Sequence, residues 1–326
     1  MAKLLVTGGY GFIGSNFVNH WLRNHPDDSL LNLDKMTYAA DENYVDESLK
    51  SKNYSFVRGD IADKEFVMSI TADIDTVINF AAESHVDNAI NEPSAFVRSN
   101  YLGVFNLLEA ARKRDLRFHQ VSTDEVYGSL SLDSSEKFGD GSCYSPRNPY
   151  SATKAAADLL VKAYFNTYGV KSTISNCSNN FGPHQHPEKL VPKTILNAVQ
   201  NRKVPLYGDG KQVRDWIYVE DHVRGIELVL ERGKIGESYL ISAESERRNV
   251  EVVSEILRLL KKERSLIEFV SDRPGHDVRY ALDSSKMKSI GWAPRYEFQN
   301  ALKETVRHYL EEFNLYSKKA SRLESN

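Results

Sequence analysis

Short apolar runs alternate with amphipathic segments along the first half of the chain. Apolar residues at three- and four-residue spacing predict helices over residues 15–24, over "SAFVRSNYLGVFNLLEAARKRD" and over "YSATKAAADLLVKAYFNTYG". Six short runs predict buried strands, namely "KLLVTGG", "LLNLDK", "YSFVRGDI", "DTVINFAA", "FHQVST" and "STISNCS". Because strands separated by helices pair in parallel, the pattern predicts an α/β protein with a doubly wound parallel sheet.

The pattern loosens after about residue 175. "NNFGPHQHPEKLVP" predicts a loop, "VPLYGDGKQVRDWIYVEDH" mixes turns with short strands, and "NVEVVSEILRLLKK" and "ALKETVRHYLEEF" predict helices. We expect a Rossmann-type domain over residues 1–175, with later segments returning to its sheet. A smaller α/β substrate-binding lobe is expected over residues 176–315, followed by a polar tail over 316–326 that frays.

Composition excludes several classes of partner. The chain has 326 residues, a formal charge of −3 and no long Lys/Arg run, so neither nucleic acid nor an anionic membrane is an expected partner. No apolar run is long enough to span a bilayer, and the first residues do not resemble a signal peptide. Two cysteines indicate no disulfide framework, which favours a cytoplasmic setting.

The run "VTGGYGFIGS" places Gly8, Gly11 and Gly14 directly after a strand and at the opening of a helix. Glycines allow the backbone to approach a pyrophosphate closely, and a helix N-terminus offers it free N–H groups. Asp34 follows Gly14 by 20 residues, where a carboxylate meets the ribose hydroxyls of a dinucleotide. The loop therefore predicts an NAD site. Its residues are Gly8, Gly11, Phe12, Ile13, Gly14, Asp34 and Lys35.

Two further strand ends lie at the same predicted edge of the sheet. Asp60 and Ile61 in "RGDI" follow the third strand, where they can edge the adenine. Ala81 and Ala82 in "NFAAES" follow the fourth strand and are small enough to let a cofactor pass. When each pair is considered alone, it is explained equally well as residues that merely end a strand and bind no cofactor.

Tyr150 and Lys154 in "YSATK" are four residues apart at the start of a helix and therefore share one face. A lysine cation beside a phenol stabilises the phenolate, so we expect Lys154 to lower the pKa of Tyr150. Such a phenolate can take the proton of a substrate hydroxyl.

The glycine spacing combined with Tyr150-x-x-x-Lys154 resembles the extended short-chain dehydrogenase/reductase superfamily. Longer motifs narrow the resemblance to the dTDP-glucose 4,6-dehydratases, from Lys3 to about Phe313. These motifs are "STDEVYG", "NPYSATKAAAD", "NCSNNFGP", "PEKLVP", "YGDGKQVRDWIYVEDH" and "DRPGHD".

This resemblance implies that dTDP-glucose is oxidised at C4, loses water across C5 and C6, and is reduced at C6, with bound NAD. It implies Tyr150 as the base at O4, Glu125 as the base at C5 and Asp124 as the acid at O6. Thr123 would bind O4, and Lys154 would hold the nicotinamide ribose. It also implies a homodimer that packs through helices near residues 95–114 and 150–168.

The acid pair agrees with that chemistry, because two adjacent carboxyls in a closed site should separate in pKa. Neighbouring strand residues point to opposite faces, so both acids reach one sugar only if the strand ends near Thr123. An epimerase would not need the acid pair. A UDP- or CDP-glucose dehydratase stays open, and a non-catalytic NAD-binding sensor is a more distant alternative.

The resemblance implies a nucleotide-sugar pocket as well, whose arginines would bind phosphate oxygens. Asn179 would face the nicotinamide. His184 and His186 stand where related chains usually carry aromatic residues, and no metal site is expected from the histidine spacing. The implied substrate contacts are Ser84, His85, Thr123, Asn180, Glu188, Lys189, Leu190, Pro205, Tyr207, Arg214, Asn249, Arg273 and His276.

Overall fold

Parallel strands form the central sheet of the protein, whose computed structural model describes residues 2–324. The strands are β1 (Lys3–Thr7), β2 (Ser29–Asp34), β3 (Tyr54–Arg58), β4 (Thr76–Asn79), β5 (Arg117–Thr123), β6 (Ser172–Cys177), β7 (Asn179–Phe181), β8 (Val204–Tyr207), β9 (Val213–Tyr218), β10 (Ser238–Ile241), β11 (Glu246–Arg248) and β12 (Ile267–Val270). The helices are α1 (Phe12–Asn24), α2 (Lys64–Ile70), α3 (Val86–Asn91), α4 (Pro93–Phe96), α5 (Val104–Arg114), α6 (Pro149–Tyr168), α7 (Leu190–Val199), α8 (Val219–Arg232), α9 (Asn249–Leu259), α10 (Ser285–Ser289), α11 (Phe298–Glu311) and α12 (Phe313–Glu324). Short 3-10 helices lie at Glu42–Tyr44, Glu47–Leu49, Asp124–Tyr127 and Arg264–Leu266.

The main sheet has the strand order β10-β6-β5-β4-β1-β2-β3, and all its neighbours are parallel. The predicted doubly wound sheet is therefore confirmed. The chain leaves β1 toward β3 on one side and returns through β4 on the other. Ligands of such sheets bind at the strand ends beside this reversal. Gly8 and Ala81 meet there, since a Cβ on Gly8 would lie 2.7 Å from the Ala81 nitrogen.

Alternating residues of the strands build two apolar layers, one on each face of the sheet. Leu4 and Val6 of β1 pack with α1 and α8 through Phe17 and Ile226. Leu5, between them in sequence, packs on the opposite face with residues of α5 and α6. Burial on both faces explains why these strands are nearly continuous apolar runs.

The later part of the chain forms a second group of elements. β7, β9 and β11 make a three-stranded sheet, and β8 pairs with β12. The helices α7, α9, α11 and α12 share a core with β9 that includes Trp216 and Tyr309. β10 returns to the main sheet beside β6, and β6 itself extends to Cys177. The division at residues 175 and 315 stays a prediction.

The predicted long helix before β5 is interrupted in the structure. Val97–Gly103 is a π-helical stretch between α4 and α5. Its Asn100 accepts the Glu83 backbone N–H at 2.8 Å and donates to the Thr153 hydroxyl at 3.1 Å. A π-helical insertion commonly marks a functional site, and this one ties the end of β4 to α6.

The segment expected to fray belongs instead to the helix α12, which continues to Glu324. Tyr316 of this helix is fully buried between Tyr44 and Tyr309, so the segment packs against the protein. The expectation of a frayed tail is wrong for residues 316–324, and residues 325–326 lie outside the described part. Among the helices of residues 2–324, none is long and apolar enough to cross a bilayer.

Candidate active site

The strand β5 ends at Thr123, and the chain turns there into the 3-10 helix Asp124–Tyr127. The Thr123 hydroxyl caps this turn by accepting the Glu125 backbone N–H at 3.3 Å. The turn agrees with the prediction, since a continued strand would point the two acids to opposite faces. It sets Asp124 and Glu125 at the carboxyl edge of the main sheet.

Asp124 is only 2% exposed, and the Thr123 hydroxyl donates to its Oδ1 at 3.2 Å. The other carboxyl oxygen has no hydrogen-bond partner among the described residues. Burial raises the pKa of Asp124 well above its usual range, and the neighbouring charge of Glu125 raises it further. These surroundings therefore favour the protonated form of Asp124.

Glu125 accepts the Asn148 side-chain amide at 3.3 Å and faces a large cavity. Burial raises its pKa as well, while the Asn148 hydrogen bond and the charge of Arg214 oppose the rise. Hydrogen bonds and cations favour the ionised form. Burial raises the pKa of both acids, and the separation of their pKa values stays a prediction.

The helix α6 begins one residue before Tyr150. Asn148 accepts the Ser151 N–H at 2.9 Å, and the Ser151 hydroxyl accepts the Asn148 N–H at 3.2 Å, which forms a capping box. This cap begins the helix that holds Tyr150 near Thr123, whose side chain lowers the pKa of the phenol. Tyr150 is 9% exposed.

The expected pKa of Tyr150 is wrong in direction. Burial raises this pKa well above its usual value, and the charge of Glu125 raises it further. Lys154 does not offset these effects, because its ammonium donates to the Val121 carbonyl at 2.7 Å. Burial also lowers the pKa of Lys154. The helical spacing placed both residues in the site but did not reveal where the ammonium points.

Sequence reasoning missed a buried acid, Asp158, one helical turn after Lys154. Its carboxylate accepts hydrogen bonds from Ser122 at 2.7 Å, Asn176 at 3.0 Å and Tyr144 at 3.3 Å. Asp158 opposes the fall in the pKa of Lys154. The four-residue spacing in "KAAAD" was a signal that could have identified it.

The glycine loop is shaped for a bound anion. Gly8 has φ +71, and a Cβ on Gly14 would lie 2.1 Å from the Gly8 carbonyl oxygen. Gly11 caps α1 without a side-chain hydrogen bond, and little besides that carbonyl would meet a Cβ there. The first turn of α1, which contains Phe12 and Ile13, thus keeps N–H groups available to a phosphate.

The acids near this loop are held in place. Asp34 accepts the Tyr10 N–H at 3.0 Å and the Met36 N–H at 2.8 Å, although burial raises its pKa. Lys35 forms an ion pair with Asp60 at 3.0 Å. This pair directs the cation away from Asp34. A carboxylate so placed suits a ribose with free hydroxyls better than one carrying a phosphate.

The remaining candidate cofactor-binding residues differ in whether their side chains face the site or the core. Ala81 and Ala82 are partly buried at the end of β4. Asn179 lines the cavity, and its buried side-chain oxygen has no partner among the described residues. The Ile61 side chain instead lies in the core between β3 and α5, against Gly103. Only the backbone of Ile61 can therefore serve a ligand at the strand edge.

A cavity of about 780 Å³ opens beside Glu125. Thr123, Asp124, Tyr150 and Lys154 are buried and do not occur among its described lining residues. All the other implied substrate contacts line it: Ser84, His85, Asn180, Glu188, Lys189, Leu190, Pro205, Tyr207, Arg214, Asn249, Arg273 and His276.

The two arginines of the cavity differ in their partners. Arg273 donates to Asp87 at 2.7 Å and stacks on Tyr207 at 4.2 Å. Arg214 is buried over the Tyr280 ring at 4.3 Å and donates to backbone carbonyls, such as Asp277 at 2.8 Å. The hydrogen bonds of Arg214 within the described residues all go to backbone carbonyls, and none goes to a carboxylate. Arg214 remains able to bind an anion.

The cavity wall also contains residues that the sequence did not indicate. Ala320 and Leu323 reach it from α12, and Tyr316 on the same helix anchors them. Their spacing of four and three residues was the available signal, which the polar composition of the segment obscured. Other unanticipated lining residues are Tyr38, Asp87, Asn88, Asn148, Gln185, Trp216 and Tyr280.

The two unusual histidines lie beside this wall. His184 has φ +73 and stacks on Tyr44 with ring centroids 4.4 Å apart. His186 is buried, 5.1 Å from the Tyr38 ring and 3.6 Å from Glu188. Both rings therefore pack as aromatic residues would.

Comparisons with known proteins agree with this geometry. A model of the family described as GDP-mannose 4,6 dehydratase matches residues 5–305. The dTDP-glucose 4,6-dehydratase of Mycobacterium tuberculosis strain H37Rv is 48% identical over 311 residues, covering 94% of this chain and 93% of the relative. That of Escherichia coli is 44% identical over 339 residues, covering 96% and 94%.

A solved structure extends the agreement to three dimensions. The dTDP-glucose 4,6-dehydratase DesIV of Streptomyces venezuelae, crystallised with NAD bound, superposes with a TM-score of 0.93. It is 40% identical, and the alignment covers 97% of this chain and 99% of that one.

Replacing Asp124 by Asn should stabilise the protein. Because its pKa is raised by folding, Asp124 keeps its proton at pH values where the unfolded chain releases it, so stability falls as pH rises above about 4. We expect Asp124→Asn to raise the free energy of unfolding by about 1–3 kcal/mol at pH 7 and by less at pH 4.5.

Urea unfolding at both pH values measures this effect, with the exposed Asp133→Asn as the matched control. A variant no more stable than the parent at pH 7 would contradict the costly burial of Asp124.

Proposed function

The chain belongs to the family of nucleotide-sugar dehydratases described as GDP-mannose 4,6 dehydratase, and we propose that it is a dTDP-glucose 4,6-dehydratase. It converts dTDP-glucose to dTDP-4-keto-6-deoxyglucose and water. The observation that carries this proposal is the turn after β5, which sets two carboxyls of different environment next to Tyr150.

NAD is the cofactor that the glycine loop fits, and when bound it would carry a hydride from C4 to C6 of the sugar. Gly8, Gly11 and Gly14 leave room for its diphosphate at the start of α1. Asp34 is placed for the adenosine ribose, and Asn179 presents an unpaired buried oxygen on the cavity side. The backbone of Ala81 lies close to Gly8, which narrows the space between the diphosphate site and Asn179.

Tyr150 acts as the base that removes the O4 proton, with Thr123 binding the same oxygen. The Thr123 side chain favours the phenolate when its hydroxyl turns its proton from the Asp124 carboxyl to the phenol oxygen. A cation nearby is still needed, because burial and Glu125 raise the pKa of Tyr150. Lys154 on the same helix face supplies it by turning from the Val121 carbonyl.

Glu125 and Asp124 divide the elimination between them. Glu125 takes the C5 proton, since Asn148 and Arg214 favour its carboxylate. Asp124 gives its proton to O6, which departs as water while the electron pair of the C5–H bond forms the C5–C6 double bond. The raised pKa of Asp124 keeps that proton available at neutral pH.

The cavity recognises the nucleotide diphosphate. Arg214 is buried without a carboxylate partner among the described residues and can fork onto phosphate oxygens. Arg273, Lys189 and Asn249 line the same wall. The relatives named for dTDP-glucose favour thymidine over uridine or cytidine as the base.

A homodimer in the cytoplasm is the proposed state of the enzyme. Large apolar side chains are exposed on the outer faces of α6 and the π-helical stretch, including Leu159 at 56% and Val97 at 52%. Such a patch is expected where a second copy packs. Both thiols, Cys143 and Cys177, are free, which suits a reducing compartment.

The assigned substrate is tested by incubating the protein and NAD with dTDP-, UDP-, CDP- and GDP-glucose in parallel. The keto-sugar absorbance in alkali should develop fastest with dTDP-glucose. A higher rate with UDP- or CDP-glucose would mean that the nucleotide base of the substrate is uracil or cytosine and not thymine. Bound NAD without product from any sugar would favour a non-catalytic sensor.

Glu125→Gln should slow product formation by about 100-fold or more, because the amide cannot accept the C5 proton. Rapid quench and mass spectrometry should find a sugar oxidised at C4 that keeps its O6. Tyr150→Phe should instead leave the sugar unoxidised. The exposed Glu136→Gln serves as the control. Product at the parent rate in Glu125→Gln would remove this residue from the mechanism.

The dimer is tested with Leu159→Glu in the proposed interface and with Leu310→Glu, an equally polar change at an exposed position of α11. Light scattering after size-exclusion chromatography should give twice the 37.0 kDa chain mass for the parent and for Leu310→Glu. Leu159→Glu should shift toward a single chain. A monomeric parent would refute the assembly.

A further inference from the structure

The contact between α1 and α8 carries imidazoles and carboxylates that the mechanism does not use. His20 lies on α1 and His25 caps the end of that helix, while Glu227 and Glu231 lie one turn apart on α8. None of these four residues lines the cavity described above. Beneath them, apolar residues of both helices fill the contact, among them Val18, Trp21 and Ile226.

One carboxylate lies between two imidazoles in this cluster. His25 Nε2 is 2.7 Å from one oxygen of Glu227, and His20 Nε2 is 2.8 Å from the other. Ligand atoms of His25, Glu227 and Glu231 all lie within 4.8 Å of one another. Ligands of a tetrahedral zinc ion are about 3.3 Å apart, given bonds of about 2.0–2.1 Å. Small side-chain rotations would close the difference.

We propose that His25, Glu227 and Glu231 form a binding site for a divalent transition-metal cation of the zinc class, whose remaining coordination position is open to solvent. An imidazole nitrogen beside two carboxylates favours such an ion over Mg²⁺ or Ca²⁺, which prefer oxygen ligands. The proposal is independent of the proposed activity. It departs from the expectation of no metal site, which considered only sequence spacing.

The surroundings orient the ligands before a cation arrives. The His25 ring stacks on Trp21, with ring centroids 4.1 Å apart and ring planes 23° from parallel. The Asn24 amide lies beside the His20 ring, 3.3 Å from Nδ1 and 3.2 Å from Nε2, and restricts its rotation. Both imidazoles and Glu227 are partly buried, while Glu231 is exposed and can close over the ion.

A bound cation would also relieve the repulsion of two carboxylates four residues apart on one helix face. It would join the end of α1 to α8, since His25 lies at the end of the first helix and Glu227 on the second. The two ligands are 202 residues apart in the chain. The role is therefore structural: the ion fastens the helix whose first turn forms the glycine loop. Catalytic parameters should remain unchanged by its loss at moderate temperature.

The test uses the full chain without an affinity tag, treated with EDTA and dialysed. Titration calorimetry with zinc chloride should give one ion per chain. Nickel or copper should quench tryptophan fluorescence, because Trp21 contacts a ligand ring. Glu231→Gln should weaken zinc binding at least tenfold without affecting folding, since this side chain is exposed. His25→Ala should weaken it further.

Glu311→Gln, an exposed glutamate on α11, is the matched control and should bind zinc like the parent. Zinc should raise the melting temperature of the parent and not that of Glu231→Gln. Equal zinc affinity in the parent and in both site variants would overturn the proposal. So would the absence of binding to the parent, which would leave the cluster as histidine–glutamate ion pairs.

Discussion

The placement of a buried carboxyl, Asp124, beside the partly buried Glu125 at the end of β5 is the constraint around which the rest of the site is arranged. Thr123 ends the strand and caps the turn that follows, so Asp124 and Glu125 leave the sheet together. Withdrawing Asp124 wholly and Glu125 partly from water is costly, and the upward shifts of both pKa values reflect that cost. In the proposed mechanism the two acids have separate tasks, Asp124 as the proton donor and Glu125 as the base.

The second group of elements supplies the residues that face the carboxyl edge of the main sheet and complete the site. The charge of Arg214 on β9 opposes the rise in the pKa of both acids, and Arg214 is itself held by backbone carbonyls. A guanidinium held by neutral groups stays available for an anionic ligand. The helix α12 closes the cavity wall from the other side through Ala320 and Leu323. Segments far along the chain thus supply the positive charge and part of the cavity wall beside the turn at Asp124 and Glu125.

Much of the fold and the site could be predicted from local patterns. The strand–glycine–helix run identified the loop at Gly8, and helical spacing paired Tyr150 with Lys154. The interruption at Val97–Gly103 was not visible, because its apolar spacing still resembles a helix. The helix α12 was misjudged as a tail, since its polar composition concealed the burial of Tyr316. The assigned roles of individual residues stay proposals.

Residue order along the chain was sufficient for the parallel sheet and the glycine loop, which follow from patterns within single strands and helices. The turn after Thr123 was expected only because the resemblance placed both acids at one sugar. Directions of charge and hydrogen bonding required the tertiary structure, since they depend on partners remote in sequence. Lys154 donates to the Val121 carbonyl, and burial together with the charge of Glu125 raises the pKa of Tyr150, where the helical spacing suggested the opposite. The same reason explains the cluster on α1 and α8, whose members meet only because the two helices pack side by side.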